Sequence, residues 1–128
     1  MKKYDSPYVC RVNSEEMVGY SGVDLAVHEC AGPELDAECA RIAPLGLGSA
    51  KITKGYNLPA KYVIHTVGPI YSGSLKDAEL LRNCYWNSLE LARENEIHSI
   101  AFPAISTGVY GYPLADATKV AKKAVVEW

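Results

Sequence analysis

In Ile100-Ala101-Phe102-Pro103-Ala104-Ile105-Ser106-Thr107-Gly108-Val109-Tyr110-Gly111-Tyr112-Pro113 an apolar run gives way to hydroxyl residues and glycines and ends on a proline. The opening residues read as a buried strand, with Pro103 marking an irregularity or a missing ladder bond near its end. Pro113 suits the first position of a helix, where its absent N–H costs nothing. A loop running from a strand end to a helix start carries unpaired backbone N–H groups, and the helix dipole favours negative charge there. Gly108 and Gly111 let the backbone pass close to a ligand, while Ser106 and Thr107 add hydroxyl donors. Open α/β sheets bind ligands outside the carboxyl ends of their strands, where such a loop belongs. Two readings stand level on this spacing: an anion site, or a plain strand-to-helix turn that uses glycine for geometry.

Around this loop strands and helices alternate. Residues 8–12 form a short strand after Pro7. Beyond a loop with Gly19, Ser21 and Gly22, the spacing of Val23, Val27, Cys30 and Ala31 predicts a helix that Gly32-Pro33 breaks. Pro33 opens a second helix with Leu35, Cys39 and Ile42 on one face. Residues 50–53 read as a strand. Tyr62-Val63-Ile64-His65-Thr66-Val67 is apolar and β-branched almost throughout, as a central strand covered on both faces would be. A long helix follows: Ser74 caps it, Asp77 complements its positive end, and Leu81, Tyr85, Leu89 and Ala92 make its buried stripe. Asn95 is expected to end it in the left-handed region. The last helix, opened by Pro113, turns Leu114, Ala117, Val120, Ala121, Ala124 and Trp128 to one side. Helices between strands predict an α/β fold with a mixed, largely parallel sheet covered on both faces.

The 128 residues fit one domain, over residues 1–128, large enough to bury a core without metals or disulfides. With 48% hydrophobic and 22% charged residues, the composition is that of a globular chain rather than a disordered one. A net charge of −2, with Lys and Arg dispersed, lacks the footprint of a duplex nucleic-acid binder and argues against a nucleic-acid partner. No run approaches the roughly 18 apolar residues of a membrane span, and residues 1–7 lack a signal peptide's apolar segment, so the expected location is cytoplasmic. Cys10, Cys30, Cys39 and Cys84 show no metal-type spacing with His28, His65 or His98. Reduced thiols and no metal or cofactor are expected, with Cys30 and Cys39 on apolar helix faces.

A second loop, Gly19-Tyr20-Ser21-Gly22-Val23-Asp24, also leads into a helix. Asp24 there serves either as a partner for the free N–H groups of the first turn or, facing the first loop across a phosphate, as the group that orients a water or a ribose hydroxyl. The first role is the commoner one for an isolated Asp. His28 lies one turn later on the same face, where a histidine is either structural or a hydrogen-bond donor to the anion.

Residues 22–35, 50–69 and 101–113 closely resemble macro domains of the MacroD type, in the family's order along the chain. Three such stretches in the right order are very specific. The resemblance implies the three-layer α-β-α macro domain fold and binding of ADP-ribose or an ADP-ribosylated protein. It also implies removal of ADP-ribose from modified proteins, or deacetylation of O-acetyl-ADP-ribose. By the same resemblance Ser106, Thr107, Gly108, Val109, Tyr110 and Gly111 would wrap the diphosphate, with Tyr110 packing on the distal ribose. Gly22 and Val23 would supply backbone contacts from the other loop, and Asp24, with Asn13, would be catalytic near the distal ribose. The family's attack is made by a water held between ligand and protein, so neither a covalent intermediate nor a metal is implied.

The family's Asn-Ala-Ala-Asn element is replaced here by Cys10-Arg11-Val12-Asn13, which keeps only the last Asn, and Tyr20-Ser21-Gly22 stands where the family has a run of glycines. Residues 1–128 offer no counterpart to the family's first strand with its adenine-reading Gly-Asp-Ile type turn, or to the strand and helix that follow its last helix. The fold is therefore expected to be reduced at both ends and the adenine end of the site incomplete. Two further functional readings follow: a non-catalytic module for ADP-ribose or another phosphate ligand, and a truncated derivative with little binding. A strand at 100–105 lacking its flanking strand also predicts a homodimer or swapped assembly through an open sheet edge.

Overall fold

The computed structural model describes residues 8–11, 22–42, 45–107 and 110–128, with the backbone alone for 8–11, 22–25 and 28. In chain order the elements are β1 (Tyr8–Arg11), α1 (Gly22–Ala31), α2 (Pro33–Ile42), β2 (Ala50–Lys54), β3 (Tyr62–Thr66), α3 (Leu75–Glu94) and α4 (Leu114–Glu127). The sheet runs β1-β3-β2. β1 pairs with β3 in parallel, Arg11 opposite Thr66, and β2 pairs with it antiparallel, Ala50 opposite Thr66.

β3 is the middle strand, and Val63, Ile64, His65 and Thr66 are all withdrawn from water. Successive side chains of a strand point to opposite faces. Val63 packs with Val27 and Ala31 of α1 and Leu35 and Cys39 of α2, while Ile64 packs with Leu81, Cys84 and Tyr85 of α3 and Ala117 and Ala124 of α4. Two helical layers therefore clasp one strand, which is the three-layer α-β-α arrangement. His65 lies on the α1/α2 side, where the Thr53 hydroxyl meets its Nε2 at 2.9 Å and Cys39 Sγ lies 3.8 Å from the same nitrogen.

α3 begins as its sequence requires. Ser74 is its N-cap, its hydroxyl accepting from Lys76 N at 3.1 Å, and Asp77 accepts in return from Ser74 N at 3.2 Å. At the other end Asn95 stays near helical geometry, at φ −99°, and Glu96 instead takes the left-handed conformation at φ 57°. The shift has a cause. The Asn95 backbone N–H and its side-chain amide both reach the Leu91 carbonyl, at 3.1 and 2.8 Å, and hold Asn95 in the helix. Glu96 N then donates to Arg93 O and Ile97 N to Ala92 O, which completes a Schellman closure one residue later than expected.

Three other expectations are corrected. Residues 100–105 form no strand beyond a bridge at Ala101. The Tyr85 hydroxyl of α3 occupies the place of a ladder partner, donating to Pro103 O and accepting from Ile105 N, each at 3.3 Å. Leu114 is 63% exposed because it sits in the first turn of α4, ahead of the point where Ala117 and Ala124 meet α3. Cys30 is exposed, whereas Cys39 and Cys84 are buried. Val12, at the end of the expected first strand, lies outside the described residues. No helix among the described residues is long and apolar enough to cross a membrane.

Leu81 is wholly buried between α3 and the sheet while Leu75 is 94% exposed. Leu81→Ala should therefore lower the free energy of urea unfolding by about 2–5 kcal/mol, and Leu75→Ala should change it by less than about 0.5 kcal/mol. Equal effects at the two positions would contradict the packing described.

Candidate functional site

The loop between residue 105 and α4 is built on buried residues. Ile105 and Ser106 are completely withdrawn from solvent, and Ser106 turns the chain in the left-handed region at φ 65°. Left-handed geometry is uncommon for a residue with a Cβ. The Ser106 carbonyl accepts from Tyr112 N at 2.9 Å and closes the loop on itself. Its hydroxyl is buried and meets no hydrogen-bond partner among the described residues. A buried hydroxyl left this way costs on the order of 1–3 kcal/mol. Such a group is a place where a ligand oxygen would be welcome.

Thr107 behaves differently from its neighbour. Its hydroxyl donates to Ala104 O at 2.7 Å and its backbone N–H approaches the same oxygen at 3.3 Å, so the side chain stiffens the turn and its proton is not offered outward. Tyr110 is half-buried and its carbonyl accepts from Tyr71 N at 2.9 Å. Gly111 has φ 73°, and a Cβ added there would meet nothing within 4 Å. Glycine is needed at 111 for backbone conformation rather than for close approach. Gly108 and Val109 lie outside the described residues.

The segment after β3 lies alongside this loop. Gly68 is buried against Ser106 and Ile105. Tyr71 and Tyr112 hold their rings 5.0 Å apart at 57°. Burial, and then the nearby Asp77, push the Tyr112 hydroxyl above its ordinary pKa, so it stays neutral. Ser72 is pinned by Asp77, whose carboxylate accepts from Ser72 N at 2.8 Å and from its hydroxyl at 3.0 Å. The Ser72 backbone N–H is the chief reason the Asp77 carboxyl is held below the usual carboxylate range. Burial pushes the Cys84 thiol up to about 11, and as a neutral donor it reaches Val67 O at 3.3 Å.

Of the other loop, Gly22, Val23 and Asp24 form the first turn of α1, where backbone N–H groups have no partner within the helix. Asn13, like Gly19, Tyr20 and Ser21, lies outside the described residues. β1 and β3 run parallel, so Arg11 and Thr66 mark one edge of the sheet, the carboxyl edge at which Gly68 meets Ser106. Cavities also lie at the opposite pole of the described structure. One, of about 570 Å³, is lined by Lys61, Tyr62 and the turn from Asn95 to Ser99, none of whose polar side chains is buried. No cluster of three or more His, Cys, Asp or Glu side chains among the described residues could hold a metal ion. Neither the packing of Gly68 on the loop nor the Ser72–Asp77 contact is evident from spacing. A Gly-Pro pair directly after a fully buried strand was the available signal for the first.

A strand clasped by two helical layers, with a glycine-bearing turn at its carboxyl edge leading into a helix, defines a three-layer α/β domain. The family model described as Macro domain matches residues 12–121, and the chain belongs to that family. It is 51% identical over 120 residues to a macro domain-containing protein of Mesorhizobium japonicum, covering 93% of this chain and 68% of that one. It is 52% identical over 114 residues to the ADP-ribose glycohydrolase MACROD2 of Homo sapiens, covering 88% of this chain but 27% of that protein. Among solved structures, an Oceanobacillus iheyensis macrodomain variant with ADPR superimposes with a TM-score of 0.90 at 39% identity, covering 98% of this chain and 72% of the other.

Because the folded-state pKa of Asp77 is lowered, its carboxylate stabilises the fold at pH values above its unfolded pKa of about 3.9. That contribution is lost as pH falls through the folded value. Asp77→Asn should lower the urea midpoint at neutral pH, with the gap to the unaltered protein closing as the solution is acidified. A gap independent of pH would mean that the charge of Asp77 does not hold the segment after β3.

Proposed function

We propose that this chain binds ADP-ribose with its diphosphate against the 106–111 loop and the first turn of α1. We further propose that it releases ADP-ribose from mono-ADP-ribosylated proteins or deacetylates O-acetyl-ADP-ribose. The observation that carries this reading is the extent of the family match: residues 12–121 contain both loops, and over a comparable span the chain is half identical to a protein named as an ADP-ribose glycohydrolase. The unpartnered hydroxyl of Ser106 supports the placement of the diphosphate. Gly22 and Val23 would add backbone donors, and Gly108, Val109 and Tyr110 would complete the cradle, with Tyr110 against the distal ribose. A water attacks at the distal ribose end. Its hydroxyl goes to one fragment and its proton to the other, and Asp24, with Asn13, orients it. The proposal places this activity in the cytoplasm.

A second reading rests on Cys10-Arg11-Val12-Asn13 in place of the family's Asn-Ala-Ala-Asn: a module that binds ADP-ribose and turns nothing over. Calorimetry with ADP-ribose followed by a turnover assay on a mono-ADP-ribosylated protein separates the two. If Asp24 positions the water, Asp24→Ala should lower kcat by about a hundredfold or more while changing the ADP-ribose Kd by less than about tenfold. Parallel loss of both would make Asp24 a binding or capping residue, and absence of turnover in the unaltered chain would leave the binding module.

The proposal includes one assembly, a second copy pairing at residues 100–105, where Ala101 alone forms a β-bridge. Light scattering at high concentration should then report a dimer. A monomer removes this part of the proposal.

A further inference from the structure

We infer that Gly68 is a positioning residue for the ligand loop: the absence of a side chain there lets the fixed segment after β3 serve as the wall against which Ser106 is set. This rests on the proposed ADP-ribose site. A Cβ built on Gly68 would collide with the Ser106 hydroxyl and come within 2.7 Å of Ile105 Cγ2. Contacts this close require something to move. Rotation of the serine could relieve the first of them, but Ile105 Cγ2 moves only if χ1 turns, and the β-branched side chain of Ile105 is wholly buried in the packed core against α3 and α4.

Gly68 itself has no room to withdraw. The preceding carbonyl, Val67 O, accepts from Gly48 N at 2.9 Å and from Cys84 Sγ at 3.3 Å, and Val67 bridges Leu47. On the other side Pro69 has a fixed φ. Beyond it Tyr71 N donates to Tyr110 O, and Ser72 is held by Asp77. Nor is Ile105 free, since its N–H donates to the Tyr85 hydroxyl of α3. Between these anchors the part that yields is the turn at Ser106, closed by the bond from Tyr112 N to Ser106 O. A methyl group at 68 would displace that turn and with it the unpartnered Ser106 hydroxyl, while leaving the sheet and both helical layers in place.

The test uses Gly68→Ala and the unaltered chain, with ADP-ribose calorimetry, turnover on a mono-ADP-ribosylated protein, and amide hydrogen exchange. We expect kcat/KM to fall by about a hundredfold, the scale of an ångström misplacement, with most of the loss in KM and in the Kd for ADP-ribose. The amides of Tyr71 and Tyr112 should exchange faster while those of Val63 and Ile64 keep their protection. A merely destabilised fold would instead lower the active fraction, reducing kcat with KM unchanged, and that result would overturn the inference, as would unchanged affinity with unchanged exchange. Should the unaltered chain not bind ADP-ribose, the proposed function fails. The exchange of Tyr71 and Tyr112 still decides the role of Gly68. If Gly68→Ala does not fold, the pair Gly68→Ala with Ser106→Gly removes the hydroxyl and relaxes the left-handed turn, and should regain the Tyr112 protection of Ser106→Gly alone. Failure to regain it, or exchange of Tyr71 and Tyr112 in the unaltered chain at the rate of open peptide, would overturn the inference.

Discussion

A strand buried on both faces has nowhere to put a polar side chain except against another protein group, and β3 carries two in succession, His65 and Thr66. Thr66 donates to Ser49 O at 2.7 Å, and His65 meets the Thr53 hydroxyl. Both partners come from β2 or the turn just before it, so the antiparallel pairing of β2 is tied to the polar content of β3 as well as to the backbone ladder. Unsatisfied groups at this depth would be costly. The helical layers follow from the same strand: Val63 needs α1 and α2, Ile64 needs α3 and α4, and neither layer can be removed without exposing one face of β3.

That constraint extends to the carboxyl edge of the sheet. Because Val67 is held by Gly48 N and Cys84 Sγ, the chain leaves β3 in one direction, and the loop before α4 has to fit against it. The loop is held less by ladder bonds than by side chains reaching backbone groups: the Tyr85 hydroxyl on Pro103 and Ile105, the Thr107 hydroxyl on Ala104. A turn anchored in this way is held in position without being part of the sheet. The same reasoning explains why Ser106 tolerates a left-handed conformation. Its surroundings determine its position more strongly than its own backbone preference does.

Periodicity in the sequence sufficed for the helices. The apolar spacing of α2 and the capping box of α3 are local, and each was legible because the residues that interact lie three or four positions apart. Details settled by contacts from far along the chain were not legible in this way. Tyr85 replaces a strand partner for residues 103–105 across 18 to 20 positions of sequence. Leu114 shares the period of a buried stripe that begins only at Ala117, where α4 first meets α3. At Asn95 the error was a single residue, because one side-chain amide can extend a helix by bonding to a carbonyl already in use.

The sequence by itself determined the class of fold, the family and the helices, since hydrophobic period, proline placement and motif spacing are properties of neighbouring residues. Only the tertiary structure decided which loop groups are spent and which are open. Ser106 and Thr107 are adjacent hydroxyls, equivalent as letters, yet that of Thr107 donates to Ala104 and that of Ser106 is buried with no partner among the described residues. Gly68 and Gly111 are likewise equivalent as letters, but the first is glycine for want of space and the second for its positive φ. Space and hydrogen-bond partners at a point depend on which remote segments pass through it, and that is fixed only once the layers have closed on β3.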